Sequence, residues 1–134
     1  MSDSLIKLSD MNDTLRRQQF EAQIQQTKRQ LLALGDMRPG SLSRQYNVCG
    51  KAGCRCKAAP NPQRHGPYYQ LSYVHRGKST SQFIRPAMVK TVKSQIANYR
   101  AFRKLTERWI DLAVKTAKLK LAAAKKKEDL NSSN

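Results

Sequence analysis

The chain has 134 residues, 26 Lys and Arg against 9 Asp and Glu for a formal net charge of +17, and a hydrophobic fraction of 39%. That length excludes a large α/β enzyme with separate cofactor and substrate domains, and leaves one small domain with or without helical extensions. So low a hydrophobic fraction implies a small core that needs a metal, a partner subunit or both.

The first residues, Met1-Ser-Asp-Ser-Leu-Ile-Lys, carry neither a basic flank nor a long apolar stretch, so no signal peptide is expected. No apolar run approaches the roughly 18 residues of a membrane span. Three cysteines, an odd number, argue against a secreted disulfide scaffold. The expected compartment is the cytoplasm, with nucleoid association.

Residues 12–34 read as a helix, with Asn12 or Asp13 as N-cap and Leu15, Phe20, Ile24, Leu31 and Leu34 at a loose three-to-four spacing. Gly35 suits the position just past a helix end. Residues 39–67 are rich in Gly, Pro, Asn and Cys and look irregular; Pro60-Asn-Pro62 excludes a continuous helix. Residues 68–74 and 79–84 carry strand formers around the turn His75-Arg-Gly-Lys78, which predicts a β-hairpin. Strand alternation puts Tyr69, Leu71 and Tyr73 on one face, with Tyr68 on the other. From Pro86 to about Ala124 nothing breaks helical order. Val92, Ile96, Tyr99, Phe102, Leu105, Trp109, Leu112, Thr116 and Leu119 form a nearly heptad stripe. The tail 125–134 reads as frayed and disordered. The expected segments are thus an N-terminal helical segment over 1–35, a loop-and-hairpin module over 36–85, a long amphipathic helix over 86–124, and the tail.

Within the irregular stretch lies Cys49-Gly-Lys-Ala-Gly-Cys54-Arg-Cys56, then Arg64-His65. The spacing is C-x4-C-x-C-x8-H, and Cys3His is a common tetrahedral set for structural zinc. Gly50 and Gly53 let the chain curl round an ion. Lys51, Arg55, Lys57 and Arg64 offset the charge of three thiolates and lower thiol pKa values. His65 is the first choice for fourth ligand and His75 the second. An iron–sulfur cluster normally wants four cysteines, and a Cys54–Cys56 disulfide would be strained. A zinc deaminase would show His-x-Glu and Pro-Cys-x-x-Cys, which are absent. No carboxylate occurs between Met37 and Thr106, so the metal reads as a staple and not as a catalyst.

The same acid-free stretch carries fourteen Lys and Arg, which suggests a polyanionic partner. Candidate nucleic-acid contacts are Arg44, Lys51, Arg55, Lys57, Arg64, Arg76, Lys78 and Arg85 for phosphates, with Tyr68 for a base. Tyr46, Tyr69, Tyr73 and Phe83 interleave with them and serve equally well as core.

Pro39-Gly-Ser-Leu-Ser, the Cys49–Cys56 run, Arg64-His-Gly-Pro-Tyr-Tyr and Gly77-Lys-Ser-Thr together resemble a family of short uncharacterised prokaryotic proteins that often accompany mobile-element genes. The resemblance covers roughly residues 35–110. It implies that Cys49, Cys54, Cys56 and His65 belong together, and it favours a DNA-linked role.

The expected fold is mainly α, with a small zinc-stapled loop and β-hairpin between two helices that pack in coiled-coil fashion, within one chain or in a homo-oligomer. The expected function is a non-enzymatic, zinc-containing nucleic-acid-binding accessory protein of a mobile element or phage, with DNA favoured over RNA. The alternative is a zinc-stabilised adaptor that binds a partner protein through its helices.

Overall fold

The computed structural model describes residues 2–132, with side chains from Asp10 onward. Its elements in chain order are helix α1 (Ser2–Leu32), strand β1 (Ser41–Asn47), a short 3-10 turn (Arg55–Lys57), strands β2 (His65–His75) and β3 (Lys78–Ile84), a second 3-10 turn (Pro86–Met88) and helix α2 (Val89–Ser132). The architecture is therefore mixed, two helices and a three-stranded antiparallel sheet in the order β1-β2-β3, where the sequence led us to expect a mainly α chain with one hairpin. The chain divides into two compact units: residues up to Leu34 with those from Phe102 on, and Gly35–Ala101.

The unit of Gly35–Ala101 holds the sheet. The β2–β3 turn has two residues, since His75 faces Lys78. Arg76 and Gly77 both take positive φ, 50° and 76°, as a type I′ turn requires. Strand β1 pairs with β2 from Ser41↔Ser72 to Asn47↔His65, with an irregularity between Gln45 and Asn47. Two strands alone would be marginal; the third strand and the first turns of α2 complete a core. Leu71 (0% exposed), Val92 and Ile96 form its centre, with Leu42, Tyr73 and Ile84 packed around them. At about 1.5–3 kcal/mol per buried side chain, the three central residues contribute roughly 5–9 kcal/mol of gross stabilisation. The segment leading into β1 is tied to the same helix, with Arg38 N–H donating to the Gln95 carbonyl and Asn98 Nδ2 to the Asp36 carbonyl (2.8 Å).

In the other unit, α1 pairs with residues 102–132 of α2. Lys28 Nζ lies 5.0 Å over the Trp109 ring, Lys115 Nζ 5.7 Å over Phe20, Lys120 beside Glu21, and Lys126 beside Asp10 and Asp13. Partners in α2 rise in number as those in α1 fall, so the helices run antiparallel. The seam is thin, as the sparse stripe implies. Among the described residues of this unit the buried side chains are Leu112, Thr27 and Thr116. Each threonine hydroxyl donates to the carbonyl four residues earlier, Gln23 and Leu112, which satisfies it without a partner across the seam. These ion pairs are exposed except at the half-buried Asp13, and each is worth under about 1 kcal/mol.

Three boundaries differ from the sequence reading. Helix α1 begins at Ser2, so Asn12 and Asp13, expected as its N-cap, lie within it; no Gly or Pro interrupts residues 2–11. Helix α2 continues past Ala124 to Ser132, through residues expected to be a disordered tail. Lys, Glu and Leu are good helix formers and no Gly or Pro interrupts them, so the helix has no reason to stop at the lysines. Residues 133–134 lie outside the described residues. Strand β1 falls in the stretch read as irregular.

Candidate metal centre

Seventeen residues, 48–64, connect β1 to β2, a long connection with only one short 3-10 turn of its own. The sheet fixes both ends of it. Asn47 faces His65 across the β1–β2 ladder, and Cys49 follows Asn47 by two residues. The first and fourth ligands of the expected set are thus brought together by strand pairing. Gly53, at φ 76°, reverses the chain just before Cys54. The 3-10 turn then places Cys54 and Cys56, with Lys57 N–H donating to the Cys54 carbonyl and Gln63 N–H to the Arg55 carbonyl (2.8 Å).

The result is a compact cluster. The donor atoms of Cys49, Cys54, Cys56 and His65 all lie within 4.8 Å of one another. Cys49 Sγ is 3.5 Å from Cys56 Sγ, and Cys54 Sγ is 3.2 Å from His65 Nε2. Zinc–sulfur bonds near 2.3 Å and zinc–nitrogen bonds near 2.0–2.1 Å require donor separations of about 3.5–3.8 Å in a tetrahedron. The cluster is close enough to hold a metal ion, and its three sulfurs and one imidazole nitrogen match what zinc takes. Cys56 is 1% exposed and the other three ligands are half-buried. The Cys49 N–H donates to Cys56 Sγ at 3.4 Å, so the backbone also supports the sulfur.

The cluster's electrostatics point the same way. The Lys51 backbone N–H, then His65 and the other two thiols, pull the Cys49 pKa down to about 6. The Cys56 backbone N–H lowers that of Cys54, and burial raises that of Cys56. Hydrogen bonds to Cys49 and Cys54 raise that of His65. A site that lowers the pKa of two thiols and buries a third is one that a cation stabilises.

His75, the second choice for fourth ligand, stands at the other end of β2. Ten residues at about 3.3 Å each put it roughly 33 Å from His65, and it is exposed. It is not part of the cluster.

The candidate phosphate contacts fall into two groups. Lys51, Arg55, Lys57 and Arg64 interleave with the ligands and are all exposed, so burial of the ligands turns these four outward around the centre. Arg44 faces Tyr69 across the sheet, and Arg85 follows Ile84, which also faces Tyr69. Both therefore sit toward the metal end of the sheet. Arg44 Nε donates to the Tyr46 hydroxyl at 3.1 Å, and its guanidinium lies 5.4 Å over that ring. Arg76 and Lys78 belong to the far turn and are separated from the other basic residues by most of the length of β2.

Alternation along β2 places Leu71 and Tyr73 on the core face as expected. Tyr68 is 42% exposed on the opposite face. Sequence reasoning left Phe83 unassigned among the interleaved aromatics. It is 65% exposed, and its ring centroid lies 6.3 Å from that of Tyr68 at 65°. Alternation within Gln82-Phe83-Ile84, with Ile84 facing inward, was the signal that could have found it. Among the described residues no helix is long and apolar enough to cross a membrane.

No curated protein and no solved structure matches the chain. A family model described as Domain of unknown function (DUF6788) matches residues 17–94, a span that takes in the second half of α1, the whole sheet, the Cys/His cluster and the start of α2. That match covers more than half of the chain, and the chain belongs to this family.

Proposed function

We propose that this is a non-enzymatic, zinc-stapled nucleic-acid-binding protein. The observation that carries the reading is the charge of the sheet-and-metal unit: twelve Lys and Arg between Gly35 and Ala101 against a single carboxylate, Asp36. Zn2+ with three thiolates carries a net charge of −1, and Lys51, Arg55, Lys57 and Arg64 turn that module to +3. Four protein ligands fill a tetrahedral sphere and leave no position for a substrate water, which supports a structural metal. The ion holds a polar loop in shape so that its cations present one surface to phosphates. DNA is the favoured polyanion, and the mobile-element setting implied by the resemblance agrees with it.

The test is a salt titration of binding to labelled DNA, with Arg55, Lys57 and Arg64 reversed to Glu in a second protein. Each phosphate contact contributes about −0.9 to the slope of log affinity against log salt on duplex DNA. We expect a slope of several units and its reduction by about two to three in the triple variant. Binding that is flat across the titration would refute the reading.

One observation favours the second reading, a helical adaptor or homo-oligomer. Ile110, Val114 and Leu121 are 61%, 47% and 74% exposed at helical spacing on α2. Loss of self-association or partner capture in an Ile110→Lys, Leu121→Lys protein that still binds DNA would assign this role to the helices alone.

A further inference from the structure

The outer face of the sheet differs in chemistry from both the core face and the metal loop. The residues alternating onto it include Ser41, Ser43 and Gln45 of β1, Tyr68, Gln70 and Ser72 of β2, and Ser79, Ser81 and Phe83 of β3. Hydroxyls and amides cross-link it: Gln45 Nε2 donates to Gln70 Oε1 at 2.7 Å, and the Ser72 and Ser81 hydroxyls lie 3.1 Å apart. It carries no carboxylate. Its two rings, Tyr68 and Phe83, stand together at the metal end and are exposed. One step beyond the Tyr69↔Ile84 pair, Arg85 comes opposite Tyr68 in extended backbone (φ −64°, ψ 142°).

We propose that this face is a stacking platform for single-stranded nucleic acid, with Tyr68 and Phe83 taking unpaired bases and Arg85 a neighbouring phosphate. The inference rests on the nucleic-acid reading above and adds which strandedness is bound and by which surface. Four considerations select this occupant. Exposed rings on a sheet face offer their surfaces to bases whose own faces are free, and in a duplex those faces are covered by neighbouring bases. The major groove of a duplex admits an α-helix or a two-stranded ribbon, whereas this sheet has three strands. The hydroxyls and amides around the rings donate to and accept from base edges. The acid-free basic unit in which the platform sits matches a phosphate backbone. Stacking of this kind tolerates any sequence, because every base has a π-face.

The test uses the full, metal-loaded chain and three fluorescein-labelled probes of equal phosphate count per strand: an oligothymidylate, the same backbone without bases, and a duplex. Fluorescence anisotropy at matched salt reads the affinities. The expected result is tighter binding of oligothymidylate than of the abasic strand. Tyr68→Ala and Phe83→Ala should each reduce that preference by about 5- to 150-fold, the range for loss of one stacked base. Tyr68→Trp should keep it. Reversal of Arg55, Lys57 and Arg64 should instead weaken all three probes together.

Equal affinity of the wild-type protein for oligothymidylate and the abasic strand would overturn the platform while leaving the nucleic-acid reading in place. This comparison needs no variant and so does not depend on any variant folding. Failure of every probe to bind at low salt would overturn both. A change in sedimentation mass in the alanine variants, with probe preference intact, would give the face to a second copy of the chain and also overturn the proposal.

Discussion

Replacing Cys56 by serine removes the most buried of the four candidate ligands, 1% exposed. An ion held by the four ligands would close the loop from Cys49 to His65, seventeen residues. Treated as a cross-link, a closure of that length is worth about 3 kcal/mol of unfolded-state entropy. The unit it belongs to has only a small apolar centre, with Leu71, Val92 and Ile96 contributing roughly 5–9 kcal/mol before any entropy cost is counted. A loss of about 3 kcal/mol is thus a large part of what holds the unit together, and corresponds to roughly a 150-fold rise in the open population. Hydrogen exchange of the β1 and β2 amides, followed by mass spectrometry alongside metal content, measures it. We expect Cys56→Ser to lose its equivalent of zinc and to lose about two orders of magnitude of protection in Ser41–Asn47 and His65–His75. Amides from α1 and from α2 beyond Phe102 should change little. Unchanged protection of β1 in a protein shown to be metal-free would refute the staple.

Metal retention should depend on pH with a definite sign. The Cys49 thiolate is present above its lowered pKa of about 6 and is lost as pH falls through it. The imidazole of His65, whose pKa is raised, gains a competing proton over the same fall. A chromogenic chelator should therefore take the ion much faster at pH 5 than at pH 7.5, and equal rates would count against ligation by these residues. Gly66→Ala should cost about 1–3 kcal/mol, because φ there is 136° and an added Cβ would lie 2.8 Å from the Gln45 carbonyl oxygen. Thermal melting of the metal-loaded protein tests this, and an unshifted midpoint would show that the β1–β2 approach at this point is looser than described.

The metal cluster was legible because its information is local: three cysteines and a histidine at short spacing, among glycines. What spacing left open was the choice between His65 and His75, and the Asn47↔His65 pairing settles it. Strand β1 was obscured because Ser41–Asn47 offers only Leu42 and Tyr46 as apolar residues and lies in a stretch dense in turn formers. Its strand character comes from burial of Leu42 against Leu71, a contact between residues far apart in sequence. The outward position of Tyr68 followed from period-two alternation. Its pairing with Phe83 did not, since that depends on the register of β2 against β3. The long stripe of α2 announced the helix but could not show its end, because nothing in Lys125–Leu130 opposes helical order.

The pairing of Asn47 with His65 also bears on how the sheet avoids misassembly. A hairpin's two-residue turn sets the register of β2 against β3, but seventeen connecting residues set nothing for β1. A slip of one residue in that ladder would move Cys49 by about 3.3 Å relative to His65 and out of reach of a common ion. It would also turn Leu42 toward solvent and Ser43 toward the core. A bound ion would therefore work as a gauge, accepting the one alignment in which the greasy side of β1 meets Leu71. Zinc supply would then govern which side of β1 faces water, and with it the outer face that β1 shares with Tyr68 and Phe83.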